Sequence, residues 1–177
     1  MNHNDIYTFG KWVELSVIPI IKDHYGFDEF VPTDHVYSDL DGMILHNRKI
    51  IPAQIKAISP RCTYKDISLS CHQYDKYKHI ADINGSYLCF LISCCHNPRF
   101  NLDYDLYVFD FAKVSSYKTS SFSNTDSKKV HYIRLSDMKH QPNVLPDDFQ
   151  RTLEHQHQQL MKPHISDYDS WYVPKYN

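Results

Sequence analysis

The chain has 177 residues, enough for one domain with a sizeable core, and one domain spanning 1–177 is the expectation. With 19 basic and 21 acidic residues the net charge is −2, so no global positive field points to nucleic acid, and any such site must be a local patch. The longest apolar run near the start, VIPII, falls far short of the roughly 20 residues a spanning helix needs, and MNHNDIY has no basic segment of the signal-peptide kind; a cytoplasmic protein is expected.

Residues 5 to about 24 predict a helix. Asp5 can serve as N-cap, and Ile6, Phe9, Val13, Val17 and Ile20 recur at helical spacing. Pro19 should kink this helix or end it early, and Gly26 marks the exit. Glu29 to Val31, Val36 to Leu45 and Lys49 to Ile58 read as strands, with Asn47-Arg48 as the turn between the last two. Because proline donates no hydrogen bond, Pro52 predicts a regular ladder only from about Ala53, and Ser59-Pro60 stops the strand.

Residues 61–84 are polar and predict a short helix or irregular segment around Tyr74 to Ile80. YLCFLIS (87–93) is a continuous apolar run of the kind found in a strand buried on both faces. LYVFDF (106–111) is a further strand, 114–129 a Ser/Lys-rich loop, and VHYIRL (130–135) an edge strand. Pro146-Asp147-Asp148 opens a last helix to about Met161, with Phe149, Leu153, Leu160 and Met161 as its buried stripe; 162–177 is an irregular aromatic tail. The order of elements predicts an α/β fold, a mixed sheet flanked by helices.

Polar groups interrupt the hairpin SDLDGMILHNRKIIPAQIKAIS. Side chains alternate along a strand, so Ile51, Ala53, Ile55 and Ala57 face one way while Gln54 and Lys56 share the other face. Asp41, on the preceding run, can be brought beside them by antiparallel pairing. Asp39 competes with Asp41 for that role, and Asp41 is preferred because it directly precedes the apolar GMIL.

Asp41 followed by Gln54-Ile55-Lys56 resembles the signature of the restriction-endonuclease-like, or PD-(D/E)xK, nuclease superfamily, in its Q-x-K form. GKWVEL (10–15) is similar to that family's first-helix signature, a Gly followed about one turn on by a Glu, here Glu14, and HYGF supplies the helix-ending Gly. The resemblance covers roughly residues 8–60. It implies a restriction-endonuclease-like core and a Mg²⁺- or Mn²⁺-dependent hydrolysis of DNA phosphodiester bonds. Asp41, Gln54 and the Ile55 carbonyl would be metal ligands, Lys56 would orient or deprotonate the attacking water, and Glu14 would support them. It further implies DNA as partner and a homodimer or a larger defence or repair complex. The amide in place of a second acid brings less charge to a metal, so a catalytically degenerate nuclease fold acting as a binding or interaction module is the alternative.

Other constellations carry less. The five cysteines, Cys62, Cys71, Cys89, Cys94 and Cys95, have no framework spacing and read as free thiols, with Cys89 as core. Cys94-Cys95-His96 lacks a second pair at zinc spacing, and His155 and His157 do not share a helix face. Local DNA contacts would fall to Lys65, Lys76, Lys78, Lys118, Lys128 and Lys129, each of which could equally be an ordinary solubilising residue.

Overall fold

In this computed structural model the structure describes residues 3–33, 40–58, 67–97, 101–113, 119–121 and 129–161. It is a mixed α/β fold. Helix α1 (His3–Tyr25) leads into strands β1 (Glu29–Pro32), β2 (Gly42–His46) and β3 (Lys49–Ile58). Strand β4 (Ile67–Ser70) and helix α2 (Cys71–Asn84) follow, then β5 (Leu88–Asn97) and β6 (Asn101–Asp110). The short strands β7 (Thr119–Ser121), β8 (Lys129–Ile133) and β9 (Lys139–Gln141) precede helix α3 (Asp147–Met161).

The main sheet has six strands in the order β1-β2-β3-β5-β6-β9. The first three pair antiparallel; β5, reached through α2, lies parallel to β3; β6 and β9 continue antiparallel. A second sheet of three strands has the order β4-β8-β7.

Helix α1 packs on one face of the main sheet. Its Phe9, Val13, Val17 and Ile21 join Ile44, Ala53, Ile55, Phe90 and Ile92 in one core. Helix α2 and the small sheet cover the other face, where Tyr77 and Ala81 meet Tyr87, Cys89, Leu91, Ile67, Leu69 and Ile133. Strand β5 therefore sends alternate residues into two cores, which is why residues 88–92 are apolar without interruption. Helix α3 closes the α1 side through buried Leu153, and Phe149 stacks on Trp12 at 6.3 Å.

Several expectations change. Helix α1 begins at His3, so Asp5 lies within it and is not its cap, and it runs unbroken through Pro19 to Tyr25. Pro19 is on the exposed side, away from the Phe9, Val13, Val17, Ile21 stripe, so burial of that stripe outweighs one lost backbone bond. The β3 ladder starts at Lys49, not Ala53: Pro52 pairs with Met43 of β2, while β5 reaches β3 only from Ala53. Pro52 thus lies where the strand has one neighbour, and its missing donor is tolerated. VHYIRL is not an edge. Strand β8 lies between β4 and β7, two short strands that fall in the segments 61–84 and 114–129, which the sequence does not mark as strands. Asp39, Ser59-Pro60, Cys62, Lys65, Lys118, Lys128 and the tail 162–177 lie outside the described residues.

Local chemistry explains the turns. Asn47 and Arg48 both have positive φ, 51° and 62°, as a two-residue hairpin loop requires. Gly26 ends α1 at φ 64°, and Phe27 N–H returns to Lys22 O at 3.1 Å. Helix α2 opens with a reciprocal cap: Ser70 Oγ accepts from Gln73 N–H at 3.2 Å and Gln73 Oε1 accepts from Ser70 N–H at 3.2 Å. Ser70→Ala should cost about 1 kcal/mol, lowering the melting temperature by about 3 °C in a thermal scan.

Candidate functional site

The site forms where β2 leaves β3. Register pairing between these strands ends at Gly42 opposite Ala53. One residue earlier, Asp41 N–H still donates to Ala53 O at 3.1 Å, and Asp41 O accepts from Thr33 N–H at 3.1 Å. Beyond that point β3 has no backbone partner on this edge among the described residues. The Asp41 side chain takes over, and its Oδ2 accepts from Ile55 N–H at 2.7 Å. A residue's N–H and C=O leave a strand on the same edge, so the Ile55 carbonyl also faces the side that Asp41 occupies.

Gly42 makes this possible. It is buried, and a Cβ there would stand 2.6 Å from Phe30 Cζ and 2.8 Å from the Val31 carbonyl oxygen. Only a residue without a side chain lets β1 and β2 close up and hold Asp41 against β3.

Gln54 and Lys56 share a face, as alternation requires, and that face is the α2 side. Gln54 is only 7% exposed. Its Nε2 donates to Tyr77 Oη of α2 at 3.2 Å, while its Oε1 is buried with no hydrogen-bond partner among the described residues. A neutral amide oxygen left unpaired in the interior costs about 1–3 kcal/mol, so it either reflects strain or awaits a ligand. Lys56 is half-buried, two residues on.

Glu14 comes from α1 and is also half-buried. Burial first, then the Asp41 charge, push its carboxyl from an ordinary 4.5 up to about 7, against the opposing pull of Lys11 and Lys56. Burial likewise raises the Asp41 carboxyl, opposed by the Ile55 N–H, Lys56 and Lys11. Each of the two acids thus feels both lysines, and Glu14 feels Asp41. Glu14, Asp41 and Lys56 are thus electrostatically linked, Asp41 is bonded to Ile55, and Gln54 and Lys56 flank Ile55, so the set spans α1, the start of β2 and the middle of β3.

Two members of this neighbourhood were not singled out from the sequence. Lys11, one helical turn before Glu14, has a buried Nζ with no hydrogen-bond partner among the described residues. Tyr77 is 2% exposed, and burial raises its phenol pKa, with the Gln54 bond opposing and the Asp41 charge adding to the rise. The Lys11 signal was GKWVE itself, a lysine three residues before a glutamate and hence on the same side of the helix.

The donor set is poor in charge. Among the described residues no group of three His, Cys, Asp or Glu side chains could hold a metal ion. A divalent ion here would need oxygens of mixed kind: Asp41, the unpaired Gln54 Oε1, the Ile55 carbonyl and waters. Magnesium accepts such a set, since it takes oxygen ligands and keeps several waters.

Elsewhere, burial pushes the Cys89 thiol up to about 12, so it is protonated core rather than a nucleophile at neutral pH. Lys78 pairs with Asp82 at 2.6 Å along α2. Compared with family models, curated proteins and solved structures, the chain matches none. No helix among the described residues is long and apolar enough to cross a membrane.

Proposed function

We propose that the chain is a metal-dependent nuclease, or a nuclease-like domain, built on a restriction-endonuclease-like core, with DNA as its substrate. The observation that carries this reading is the Asp41 carboxylate held on Ile55 N–H where β2 leaves β3, beside Gln54, whose buried amide oxygen has no hydrogen-bond partner among the described residues. The mixed sheet flanked by helices is compatible with it: three antiparallel strands, then, through α2, a strand parallel to the third.

Asp41, Gln54 Oε1 and the Ile55 carbonyl would hold Mg²⁺ or Mn²⁺. The bound ion supplies Lewis acidity toward a phosphoryl oxygen and a template for water. Lys56, two residues beyond Gln54 on the same face, orients the attacking water and stabilises the charge that develops on phosphorus. Glu14 holds a proton near neutral pH and so can accept or return one at the site. Tyr77 fixes the Gln54 head group so that its oxygen, not its amide nitrogen, is the unpartnered atom.

The test is cleavage of single-stranded, duplex and branched DNA with Mg²⁺ or Mn²⁺. The wild type should cut at least one of them, and Lys56→Ala should reduce the rate about 100-fold or more. Equal inactivity of both proteins on all three substrates would sink the enzymatic reading.

One observation favours a second reading, a lapsed nuclease fold kept as a nucleic-acid-binding or interaction module. The site carries an amide bonded to Tyr77 where a second acid would serve a metal better. Calorimetric titration with Mn²⁺ separates the two. Asp41→Asn is the informative variant, because an amide oxygen can still accept from Ile55 N–H while the charge is gone. Binding by the wild type that this variant loses about tenfold or more supports the enzyme; no heat from either protein supports the module.

A further inference from the structure

Lys11 is the one polar side chain of the neighbourhood that the proposed chemistry leaves without a task. Its position is unusual for a lysine. An ammonium offers three donors, is strongly hydrated, and normally reaches for water along a helix surface. Here Nζ is buried and donates to nothing among the described residues. Retaining it without hydrogen bonds is costly, and a hydrophobic residue of similar length would cost less.

What the site offers this ammonium is charge without contact. Lys11 stands one helical turn before Glu14 on α1, on the same side of the helix, yet its buried Nζ makes no hydrogen bond among the described residues; its positive charge also opposes the rise of the Glu14 carboxyl. With Asp41 ionised, Glu14 about half-protonated near neutral pH and two ammoniums, the centre carries a formal charge between zero and +1. Addition of one divalent ion brings it to about +2 to +3, and that suits an anion with several oxygens. An unpaired donor, buried and beside a positive centre, is the counterpart of a phosphoryl oxygen.

We propose that Lys11 is a second phosphate-binding cation, which donates to a non-bridging oxygen of the substrate phosphate that Lys56 and the metal engage from the β3 side. The proposal rests on the nuclease reading and extends it. The site pairs an amide, where a second acid would serve a metal better, with a lysine from the helix, so substrate charge, more than ligand charge, would hold the metal and phosphate together.

The experiment uses a short duplex DNA with Ca²⁺ in place of Mg²⁺, read by fluorescence anisotropy at several salt concentrations, alongside Mn²⁺ calorimetry. Lys11→Met is compared with the wild type and with Lys22→Met, which removes an equal charge from the last turn of α1. Lys11→Met should bind duplex at least about tenfold more weakly, with a salt slope reduced by about one, while Lys22→Met stays within about twofold. Its Mn²⁺ affinity should equal or exceed that of the wild type, because a repelling cation is gone. An unchanged melting temperature confirms that the loss is not unfolding.

Duplex affinity of Lys11→Met within twofold of the wild type, or an equal loss in Lys22→Met, overturns the proposal, as does a wild type with no affinity for duplex at all. Lys11-dependent duplex binding without any Mn²⁺ heat supports the Lys11 role and removes the metal-dependent enzyme instead.

Discussion

Gly42→Ala is expected to destabilise the protein by about 3 kcal/mol, at the upper end for an overpacked interior position. The added methyl would lie 2.6 Å from Phe30 Cζ and 2.8 Å from the Val31 carbonyl oxygen. An aromatic tip can swing, but the carbonyl is backbone, fixed in a ladder in which Val31 pairs with Met43 and Pro32 with Gly42. Relief therefore requires β1 to move away from β2. Phe30 sits in the α1-side core at 8% exposure, so that movement also disturbs packing beneath the hairpin. The consequence for the site is direct, because Asp41 is the next residue and is clamped by Thr33 on one side and Ala53 on the other. Urea denaturation should show a lower midpoint at unchanged slope. Gly10→Ala is the contrasting control. Nothing stands within 4 Å of its Cβ, and it lies inside α1, so alanine should stabilise by up to about 1 kcal/mol. Equal midpoints for the two variants would refute this account of Gly42.

Much of this geometry follows from periodicity, and the rest does not for identifiable reasons. The α1 core stripe is legible because Phe9, Val13 and Val17 repeat at four-residue spacing. The β2–β3 hairpin is legible because a period of two runs up to Asn47-Arg48, and register follows from the loop length. That register alone places Gln54 and Lys56 on one face and Ile55 on the other. Lys11 was legible only as a neighbour of Glu14 on the helix. A lysine there reads as solvated, and only the surroundings of its Nζ say otherwise. Tyr77 was illegible by distance, since its bond to Gln54 joins residues 23 apart across a crossover. Strands β7 and β9 have three residues each and take their stability from neighbours, so no local pattern announces them. Gly42 did carry a signal: a glycine inside an apolar strand marks a close backbone approach.

Glu14→Gln is expected to make the protein more stable at alkaline pH and to flatten its pH dependence. In the folded chain the Glu14 carboxyl titrates at about 7 against an ordinary 4.5, chiefly through burial and secondly through the Asp41 charge. A raised carboxyl pKa means that the folded state holds its proton more tightly than the unfolded state. The contribution to stability is therefore fully present below about pH 4.5 and is lost as pH rises through about 7. A rise of that size would correspond to about 3 kcal/mol for a fully buried group. Glu14 is partly exposed and solvent screens it, so about 1–2 kcal/mol is the reasonable expectation. Glutamine is nearly isosteric and never ionises, so the variant should gain that amount over the wild type at pH 8 and show little gain at pH 4.5. Asp41 shifts in the same direction, from a lower starting value, so a residual slope at acid pH should survive in the variant. Chemical denaturation from pH 4.5 to 8.5 measures the difference, and parallel curves for the two proteins would mean that Glu14 is solvated like any surface acid. A stabilising substitution at this position would also show that the fold bears a cost for keeping an acid between Asp41 and two lysines, which is the balance expected where stability has been exchanged for a working site.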